Sequence, residues 1–224
     1  MNVLVTGSSR GLGKEIVKVF ANNGIDVIIN YNKSEKKALE LQKELKPKVN
    51  VKVIKCDISN EEEVKKMFED IDHLDYLINN AAIANDKDPL EKTAEEFNKI
   101  IHTNLTGTFL VTKYALEKMD SGSIVNISST NAIDTNYPES IDYDASKAGV
   151  ISLTHNFAKY LCDTRVNCIC PDWIDTEMNQ EMAADYRKKI NFIKAEDLAL
   201  LVYKVATDKN INNQIIRVGD NSVR

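Results

Sequence analysis

The 224-residue chain is poor in several residue types and patterns, and each lack excludes a class of protein. Its 4 cysteines and 3 histidines show no paired spacing of a metal or redox site. No apolar run approaches the roughly 20 residues of a membrane span, and the first residues lack a signal-peptide pattern. A net charge of −5 excludes a uniformly basic surface for nucleic acid or an anionic membrane. We expect a cytoplasmic protein that binds neither, folded as one domain over residues 1–224.

Short apolar runs of strand length alternate with longer segments of helical period. Most runs are nearly continuous in Val, Ile and Leu, as in strands buried on both faces. The runs are Asn2–Thr6, Ile25–Asn30, Val51–Lys55, Leu74–Asn79, Ser123–Ile127, Arg165–Cys170 and Gln214–Val218. The helical segments are Leu12–Asn23, Ser34–Lys46, Asn60–Glu69, Thr93–Met119, Tyr143–Leu161 and Ala195–Thr207. This alternation predicts an α/β fold, a doubly wound, parallel, seven-stranded sheet with helices on both faces.

Glycine is scarce, with 8 in the chain, yet three glycines follow the first predicted strand within seven positions. Gly7, Gly11 and Gly13 also open the first predicted helix. Glycine permits a tight strand-to-helix turn, and the helix N-terminus offers free N–H groups to a pyrophosphate. The placement meets the context that the motif requires, so we expect a dinucleotide site rather than a turn that serves packing alone.

The end of the second predicted strand bears on which dinucleotide binds. An NAD site needs a carboxylate there to bind the ribose 2′-hydroxyl, but the first acid after Asn30 is Glu35. Arg10, inside the glycine loop, and Lys33 would instead neutralise a 2′-phosphate. Lys33 fits a solvated surface cation equally well. We therefore expect a preference for NADP(H).

Tyr143 and Lys147 are four residues apart at the start of a predicted helix, so their side chains share one face. A phenol titrates near pH ~10 in water, too high for a base at neutral pH. A lysine charge ~4 Å away, at an effective dielectric constant of ~20, contributes about 4 kcal/mol, or roughly three pKa units. The pair would bring the tyrosine near neutrality for acid–base catalysis, although Tyr–Lys pairs on helices are more often surface contacts.

Five motifs, in order along nearly the whole chain, resemble those of the short-chain dehydrogenase/reductase family. They are the family's glycine loop, its adenine-contacting aspartate, its N-N-A-G segment, its mid-helix asparagine, and its catalytic serine followed by Y-x-x-x-K. In this chain they are Thr6–Gly13, Cys56–Ile58, Asn79–Ala82, Asn104–Gly107, and Ile127–Ser129 with Tyr143 and Lys147. Their common order makes the resemblance far more specific than any single motif, and it implies a Rossmann-type fold.

The resemblance implies four catalytic residues. Tyr143 would exchange a proton with the substrate oxygen, and Ser129, preferred here over Ser128, would hold that oxygen. Lys147 would lower the pKa of Tyr143 and bind the nicotinamide ribose, and Asn104 would anchor a water relay behind it. The implied cofactor contacts are Gly7, Ser9, Arg10, Gly11, Leu12, Gly13, Asn32, Lys33, Asp57, Ile58, Asn80, Ala81, Tyr143, Lys147, Pro171, Ile174 and Thr176.

Within the family, the chain is most similar to 3-oxoacyl-carrier-protein reductases. This implies an NADPH-dependent enzyme of fatty acid biosynthesis that reduces a 3-oxoacyl thioester, free or carrier-bound, or a similar ketone. Two alternatives stay open: an NADP-linked sugar or secondary-alcohol dehydrogenase, and a non-catalytic dinucleotide-binding protein, against which the complete proton relay argues. Family members are usually homotetramers, so we expect a homotetramer or homodimer.

Three features depart from the family's pattern. Ala82 replaces the glycine of N-N-A-G, and Asp172 replaces the glycine that follows Pro171. Asp172 would either act on the substrate in the cleft, repelling an anion or binding a polyol, or turn outward to water. The segment Glu177–Lys194 is shorter than the usual lid, which implies an open cleft. Its cations at 187–189 would either meet an acidic carrier protein or form a solvated helix face.

Overall fold

The computed structural model describes residues 1–179, 188 and 190–219, and its elements follow the predicted alternation. The strands are β1 (Asn2–Val5), β2 (Asp26–Tyr31), β3 (Val51–Lys55), β4 (Tyr76–Asn79), β5 (Gly122–Ile127), β6 (Thr164–Pro171), β7 (Ile174–Asp175), β8 (Ile193–Lys194) and β9 (Ile215–Val218). The helices are α1 (Gly11–Asn22), α2 (Glu35–Leu45), α3 (Glu61–Glu69), α4 (Ala94–Ile101), α5 (Gly107–Ala115), α6 (Ile141–Tyr160) and α7 (Ala195–Thr207).

Seven strands form one parallel sheet in the order β3-β2-β1-β4-β5-β6-β9. The order reverses between β1 and β4, and a crevice opens at the carboxyl ends of strands at such a switch point. The predicted fold class is confirmed. The separate β7–β8 pair was not predicted, because two residues per strand are too few to show a periodic pattern.

The two faces of the sheet carry separate apolar layers, as the alternating side chains of a strand require. Val3 and Val5 of β1 pack with α1, α2 and α7, whereas Leu4 packs on the other face with α3, α5 and α6. Cys168 and Cys170 share one face of β6, where both are buried and their Sγ atoms lie 3.8 Å apart. The bulk of the core thus lies on either side of the strands and leaves their carboxyl ends for the site.

The segment predicted as one helix from Thr93 to Met119 is interrupted. A π-helical turn, His102–Thr106, separates α4 from α5, and a 3₁₀ turn follows α5. Such turns inside helices often occur at functional sites. The turn carries the buried Asn104, whose carbonyl oxygen accepts a hydrogen bond from Thr108 Oγ1 at 2.7 Å. Apolar spacing did not predict the turn, because it is not a feature of hydrophobic period.

Candidate active site

The predicted glycine loop joins β1 to α1 at the crevice. Gly7 and Gly11 have φ angles of 63° and 55°, values that residues with a Cβ rarely adopt. A Cβ on Gly7 would lie 2.9 Å from Ala81 Cα, and a Cβ on Gly13 would lie 2.7 Å from the Gly7 carbonyl oxygen. The glycines therefore let the loop, α1 and the end of β4 approach more closely than side chains would permit.

The start of α1 differs from the starts of two other helices. Asn60 caps α3 with its side chain, and Thr93 and Glu96 form a capping box at α4. Arg10, at the corresponding position of α1, makes no side-chain capping hydrogen bond, and the first turn of α1 contains no acid. Helix N–H groups that no side chain caps, and that lie beside glycines, suit the phosphates of a dinucleotide. The loop residues therefore fit the predicted cofactor.

Asn30, at the end of β2, holds the glycine loop in place. Its side-chain Oδ1 accepts a hydrogen bond from Gly7 N at 3.0 Å. Its backbone pairs with Ser8, since Ser8 N donates to Asn30 O at 2.9 Å and Asn30 N donates to Ser8 Oγ at 3.2 Å. This role of Asn30 was not predicted; the available signal was a polar side chain at the end of an apolar strand.

Asn80 and Ala81, after β4, are bound to the first residue of the loop. Thr6 Oγ1 accepts hydrogen bonds from both backbone N–H groups, at 3.0 and 3.1 Å, and Asn80 Nδ2 donates to Thr6 O at 2.9 Å. The predicted cofactor contacts Ser9 and Leu12 are buried within the loop and α1. The segments after β1 and β4 thus form one side of the crevice together.

Four predicted contacts lie on the side of the crevice that is predicted for the adenosine. Asn32 and Lys33 follow β2, and Asp57 and Ile58 follow β3. Asn32 Nδ2 donates to Asp57 Oδ2 at 2.8 Å, while Ser59 N and Oγ donate to Asp57 Oδ1 at 3.0 and 2.6 Å. Burial raises the pKa of Asp57, but these hydrogen bonds and the charge of Lys33 outweigh burial and hold the pKa below its usual value. Asp57 is therefore a fixed, ionised acceptor.

Arg10 is exposed at the rim of the loop. A hydrogen bond from Lys37 lowers the pKa of Glu177, and the charge of Arg10 contributes to the same shift. Glu177 follows β7, so the Arg10 side chain acts across the rim of the crevice. This position suits contact with a phosphate on the adenosine ribose.

The segment after β6 approaches the glycine loop from the other side. The Thr176 side chain lies 3.7 Å from the place that a Cβ on Gly11 would take. Pro171 is buried at the end of β6, and Ile174 is half-buried in β7. Of the three predicted contacts of the nicotinamide side, Thr176 therefore meets the glycine loop, whereas Ile174 packs against the apolar layer that contains α1.

The predicted catalytic residues converge from three parts of the chain. Ser129 follows β5, Tyr143 and Lys147 lie near the start of α6, and Asn104 lies in the π-helical turn. The Ser129 side chain lies near enough to the Tyr143 hydroxyl to lower its pKa, and Lys147 Nζ lies 5.5 Å from the centroid of the Tyr143 ring. Ser128 has a different task, since its Oγ donates to the Lys147 carbonyl oxygen at 2.8 Å.

Lys147 and Asn104 are held by protein groups behind the tyrosine. Lys147 Nζ, in a side chain that is 3% exposed, donates to Ile127 O at 2.7 Å. Asn104 Nδ2 donates to Ser146 Oγ at 3.1 Å and to Ile83 O at 2.9 Å, and Asn104 Oδ1 accepts from Ile83 N at 2.9 Å. The Asn104 amide therefore joins α6 to the segment after β4, and its part in a water relay stays a prediction.

The expectation that Lys147 brings the pKa of Tyr143 toward neutrality is wrong for the protein by itself. Burial raises the pKa of Tyr143 to about 12, although the nearby Ser129 side chain opposes the shift, and the charges of Asp144 and Asp86 add to it. Burial also lowers the pKa of Lys147 to about 8. Coulomb attraction alone omits the loss of solvation of both groups, which here outweighs it. At neutral pH the phenol holds its proton.

Asp172, one of the departures from the family's pattern, is half-buried and packs beside the end of β9. A Cβ on Gly219 would lie 2.5 Å from Asp172 Cβ, and Asp172 Oδ1 accepts a hydrogen bond from Trp173 N at 2.9 Å. Much of the predicted lid, Glu177–Lys194, lies outside the described residues, as do two of its three cations and residues 220–224. Lys188 is described and exposed.

Two kinds of feature are absent from the described part of the chain. No group of three or more His, Cys, Asp or Glu side chains lies close enough there to hold a metal ion. In the same residues, no helix has the length and apolarity that crossing a membrane demands.

Comparison with known proteins assigns the class. The model of the short chain dehydrogenase family matches residues 1–187. The 3-oxoacyl-[acyl-carrier-protein] reductase FabG of Aquifex aeolicus is 34% identical over 96% of this chain and 94% of its own. The FabG of Staphylococcus aureus is 33% identical over 97% and 96%.

Solved structures agree with the sequence relatives. A short chain dehydrogenase from Burkholderia cenocepacia, in complex with NADP, is 28% identical with a TM-score of 0.91, over 96% of this chain and 95% of that one. A dehydrogenase/reductase from Sinorhizobium meliloti is 26% identical, also with a TM-score of 0.91, over 97% and 92%.

The fold and the site together define an oxidoreductase with a dinucleotide crevice. The chain belongs to the short-chain dehydrogenase/reductase family. The predicted family, its similarity to 3-oxoacyl-carrier-protein reductases and the enzyme class are confirmed. The predicted cofactor class, a nicotinamide dinucleotide, agrees with the family and with the NADP held by the Burkholderia cenocepacia structure.

Proposed function

We propose that the protein is an NADPH-dependent reductase that converts a ketone of the 3-oxoacyl thioester kind into a secondary alcohol. The observation that carries the proposal is the position of Tyr143 beside Ser129, with Lys147 Nζ 5.5 Å from the tyrosine ring. Two relatives that align over nearly the whole chain are named 3-oxoacyl-[acyl-carrier-protein] reductases, which supports the substrate class.

NADPH, when bound, supplies the hydride for the carbonyl carbon. The chain's own residues manage the oxygen: Ser129 holds it by a hydrogen bond, and Tyr143 donates the proton. Because the pKa of Tyr143 is raised to about 12, the phenol is protonated at neutral pH and ready to act as an acid. Once that proton leaves, the buried Lys147 ammonium stabilises the phenolate electrostatically. The phenol therefore begins in the protonated state that reduction of a carbonyl group requires.

The charges near the end of β2 support NADPH over NADH. Arg10 and Lys33 supply cations, and the side chain at position 32 is an amide rather than a carboxylate. A guanidinium binds a phosphate through two parallel hydrogen bonds, whereas a carboxylate would repel it. Asp57 offers its fixed charge further along the crevice, for the adenine.

Coupled turnover of acetoacetyl thioester and NADPH by the purified protein tests the proposal. We expect NADPH oxidation by the wild type and a loss of about 10²- to 10⁴-fold in kcat in Tyr143→Phe, because general acid catalysis contributes that much. NADPH should bind both proteins equally, as the phenol hydroxyl carries the reaction rather than the binding. Turnover by Tyr143→Phe at the wild-type rate would contradict the mechanism.

Asp172 supports a second candidate, an NADP-linked sugar or secondary-alcohol dehydrogenase. Its carboxylate follows the buried end of β6, where a hydroxyl-rich substrate would find an acceptor. Turnover of sugars but not of acetoacetyl thioester, reduced by Asp172→Gly, would favour it. Tight NADPH binding with no turnover of any carbonyl compound would favour a non-catalytic dinucleotide-binding protein.

The broader setting of the enzyme is proposed on the same relatives. We propose a single domain over residues 1–224, a homotetramer or homodimer in the cytoplasm, and a role in fatty acid biosynthesis with an acyl carrier protein as partner. Light scattering during size-exclusion chromatography measures the assembly. Competition between carrier-bound and free thioester measures the partner, because a carrier that contacts the protein lowers KM.

A further inference from the structure

Lys92 and Asp142 form a buried ion pair one residue away from Tyr143. The pair joins Lys92 Nζ to Asp142 Oδ1 at 2.7 Å, and the two side chains are 2% and 0% exposed. Asp142 Oδ1 also accepts a hydrogen bond from Tyr143 N at 2.9 Å. The carboxylate that binds the lysine therefore also binds the backbone of the candidate catalytic residue.

Lys92 ties a second part of the chain to the same place. Residues 80–93, here called the β4–α4 loop, run from β4 to α4, and Lys92 Nζ donates to Asn85 O in this loop at 2.7 Å. Asp86, its next residue, lies near enough to Tyr143 for its charge to raise the pKa of the phenol. The ion pair thus holds a wall of the candidate cleft against the start of α6.

Asp144, on the other side of Tyr143, binds a different loop. Its Oδ1 accepts hydrogen bonds from Asn131 Nδ2 and Ser140 Oγ, both at 2.7 Å, and its Oδ2 accepts one from Tyr137 N at 3.1 Å. The two carboxylates that flank Tyr143 therefore attach it to two separate loops. The contact between Asp142 and Lys92 differs from the hydrogen bonds of Asp144, because it is an ion pair buried in the protein.

A buried ion pair of this kind adds little net free energy to the stability of a fold. Removing two charges from water costs about as much free energy as their attraction returns, and apolar side chains of similar size often stabilise equally well. Among the described residues, no group donates a hydrogen bond to Asp142 Oδ2, so the burial is not fully compensated. Unlike apolar packing, an ion pair is directional, because it fixes which two groups contact each other.

We propose that Lys92 and Asp142 are positioning residues: their ion pair holds the β4–α4 loop against the start of α6 and thereby sets the place of the Tyr143 phenol in the cleft. The inference rests on the proposed function of Tyr143 as the proton donor. Neither side chain needs to contact substrate or cofactor for this role.

Four variants separate positioning from stability. Lys92→Met removes the ammonium and keeps the aliphatic chain, Lys92→Arg keeps the charge, and Lys92→Met with Asp142→Leu replaces the whole pair by apolar groups. Lys87→Met is the matched control, because Lys87 lies in the same loop and forms a partly exposed ion pair with Glu96 at 3.0 Å. Each variant is assayed for kcat, NADPH affinity and thermal midpoint.

We expect Lys92→Met to lower kcat about 10- to 100-fold, since a misplacement of about 1 Å in an active site has effects of this size. NADPH affinity should stay within about 2-fold, and Lys92→Arg should recover most of the kcat, because an arginine still pairs with the carboxylate. The double variant should regain the thermal midpoint but not the kcat. Lys87→Met should match the wild type.

Two kinetic results overturn the proposal. The first is a folded Lys92→Met variant with the wild-type kcat; the second is a double variant in which kcat returns together with the thermal midpoint, as a merely structural pair requires. If Lys92→Met does not fold, the double variant alone tests the proposal, because it buries no unpaired charge.

Hydrogen–deuterium exchange of the β4–α4 loop keeps the test independent of turnover. If the wild type reduces no carbonyl compound, the proposed function fails, but the positioning of the loop is still measurable. We expect faster exchange of residues 83–92 in Lys92→Met and unchanged exchange in Lys87→Met. Equal exchange in both variants would contradict the positioning role whatever the reaction is.

Discussion

The glycine loop and the catalytic cluster lie at the same edge of the sheet but are held in different ways. The loop requires residues without a side chain, because a Cβ on Gly7 or Gly13 would collide with backbone. The cluster depends on polar groups that are present and distant in sequence. Asn104, for example, binds Ile83 and Ser146, which are 21 and 42 positions away.

This difference separates two kinds of vulnerability. An added methyl group should damage the loop, whereas a lost hydrogen-bonding group should damage the cluster. Two substitutions in the cluster and two in the loop test this distinction.

Asn104→Ala should have the largest effect on the free energy of unfolding, a loss of about 3 kcal/mol. The variant leaves the N–H and C=O groups of Ile83 without their partner, and each such group costs roughly 1–3 kcal/mol when buried. The Ser146 hydroxyl loses one hydrogen bond but still donates to the Tyr143 carbonyl oxygen at 2.7 Å. Urea unfolding measures the loss. The control is Asn156→Ala, an exposed amide bound to its own helix, for which we expect less than about 0.5 kcal/mol. Equal losses would contradict the comparison.

Lys147→Met should change how stability depends on pH. The pKa of Lys147 is lowered by burial to about 8 from 10.5, so between these values the unfolded chain binds a proton that the folded protein has released. The free energy of unfolding of the wild type therefore rises with pH in this window, by roughly 2–3 kcal/mol up to pH ~10.

The Lys147→Met variant has no such group, so its advantage in stability over the wild type should be largest near pH ~7 and shrink toward pH ~10. Urea unfolding of both proteins across this range measures the difference. Parallel curves would show that the buried lysine is not destabilised by its surroundings. Tyr143, with its pKa raised to about 12, acts in the opposite direction only above about pH 10 and is shared by both proteins.

Gly13→Ala tests the loop, with an expected loss of about 2 kcal/mol from overpacking. Alanine alone would favour the helix by about 1 kcal/mol, but its Cβ would lie 2.6 Å from Asn80 Nδ2 and 2.7 Å from Gly7 O. The control is Gly24→Ala, where φ is 74° and nothing lies within 4 Å of the added Cβ. A smaller loss in Gly13→Ala than in the control would place the constraint in φ rather than in space.

Arg10→Ala should weaken NADPH binding about tenfold and leave NADH binding unchanged. An exposed guanidinium bound to a phosphate contributes about 1.4 kcal/mol, at the lower end for a charged hydrogen bond. Fluorescence titration with both nucleotides measures the ratio. Equal weakening of both would mean that Arg10 acts on the shared part of the cofactor.

Much of the fold was predictable because its signals are local. The order of strands and helices follows from apolar periodicity, and the loop from the spacing of Gly7, Gly11 and Gly13. Ser129 was preferred over Ser128, and the structure places Ser129 beside Tyr143 and Ser128 against the Lys147 backbone. The placement of all these residues at one edge follows from parallel strands, whose carboxyl ends meet there.

Other features of the site depend on burial and on contacts between distant residues. No periodic pattern in the sequence predicts three of these features. They are the π-helical turn, the hydrogen bond from Gly7 N to Asn30 and the buried Lys92–Asp142 ion pair. The pKa of Tyr143 shows the same limit, since spacing reveals the nearby lysine but not the desolvation that outweighs it.

The family and the layered α/β architecture are predictable from the sequence, because steric demands and side-chain periodicity act over a few neighbouring residues; the four relay residues stay a prediction. Only the tertiary structure decided which groups are desolvated and which polar atoms meet. Those properties arise when segments far apart along the chain exclude water together, and they set the charge state of the site.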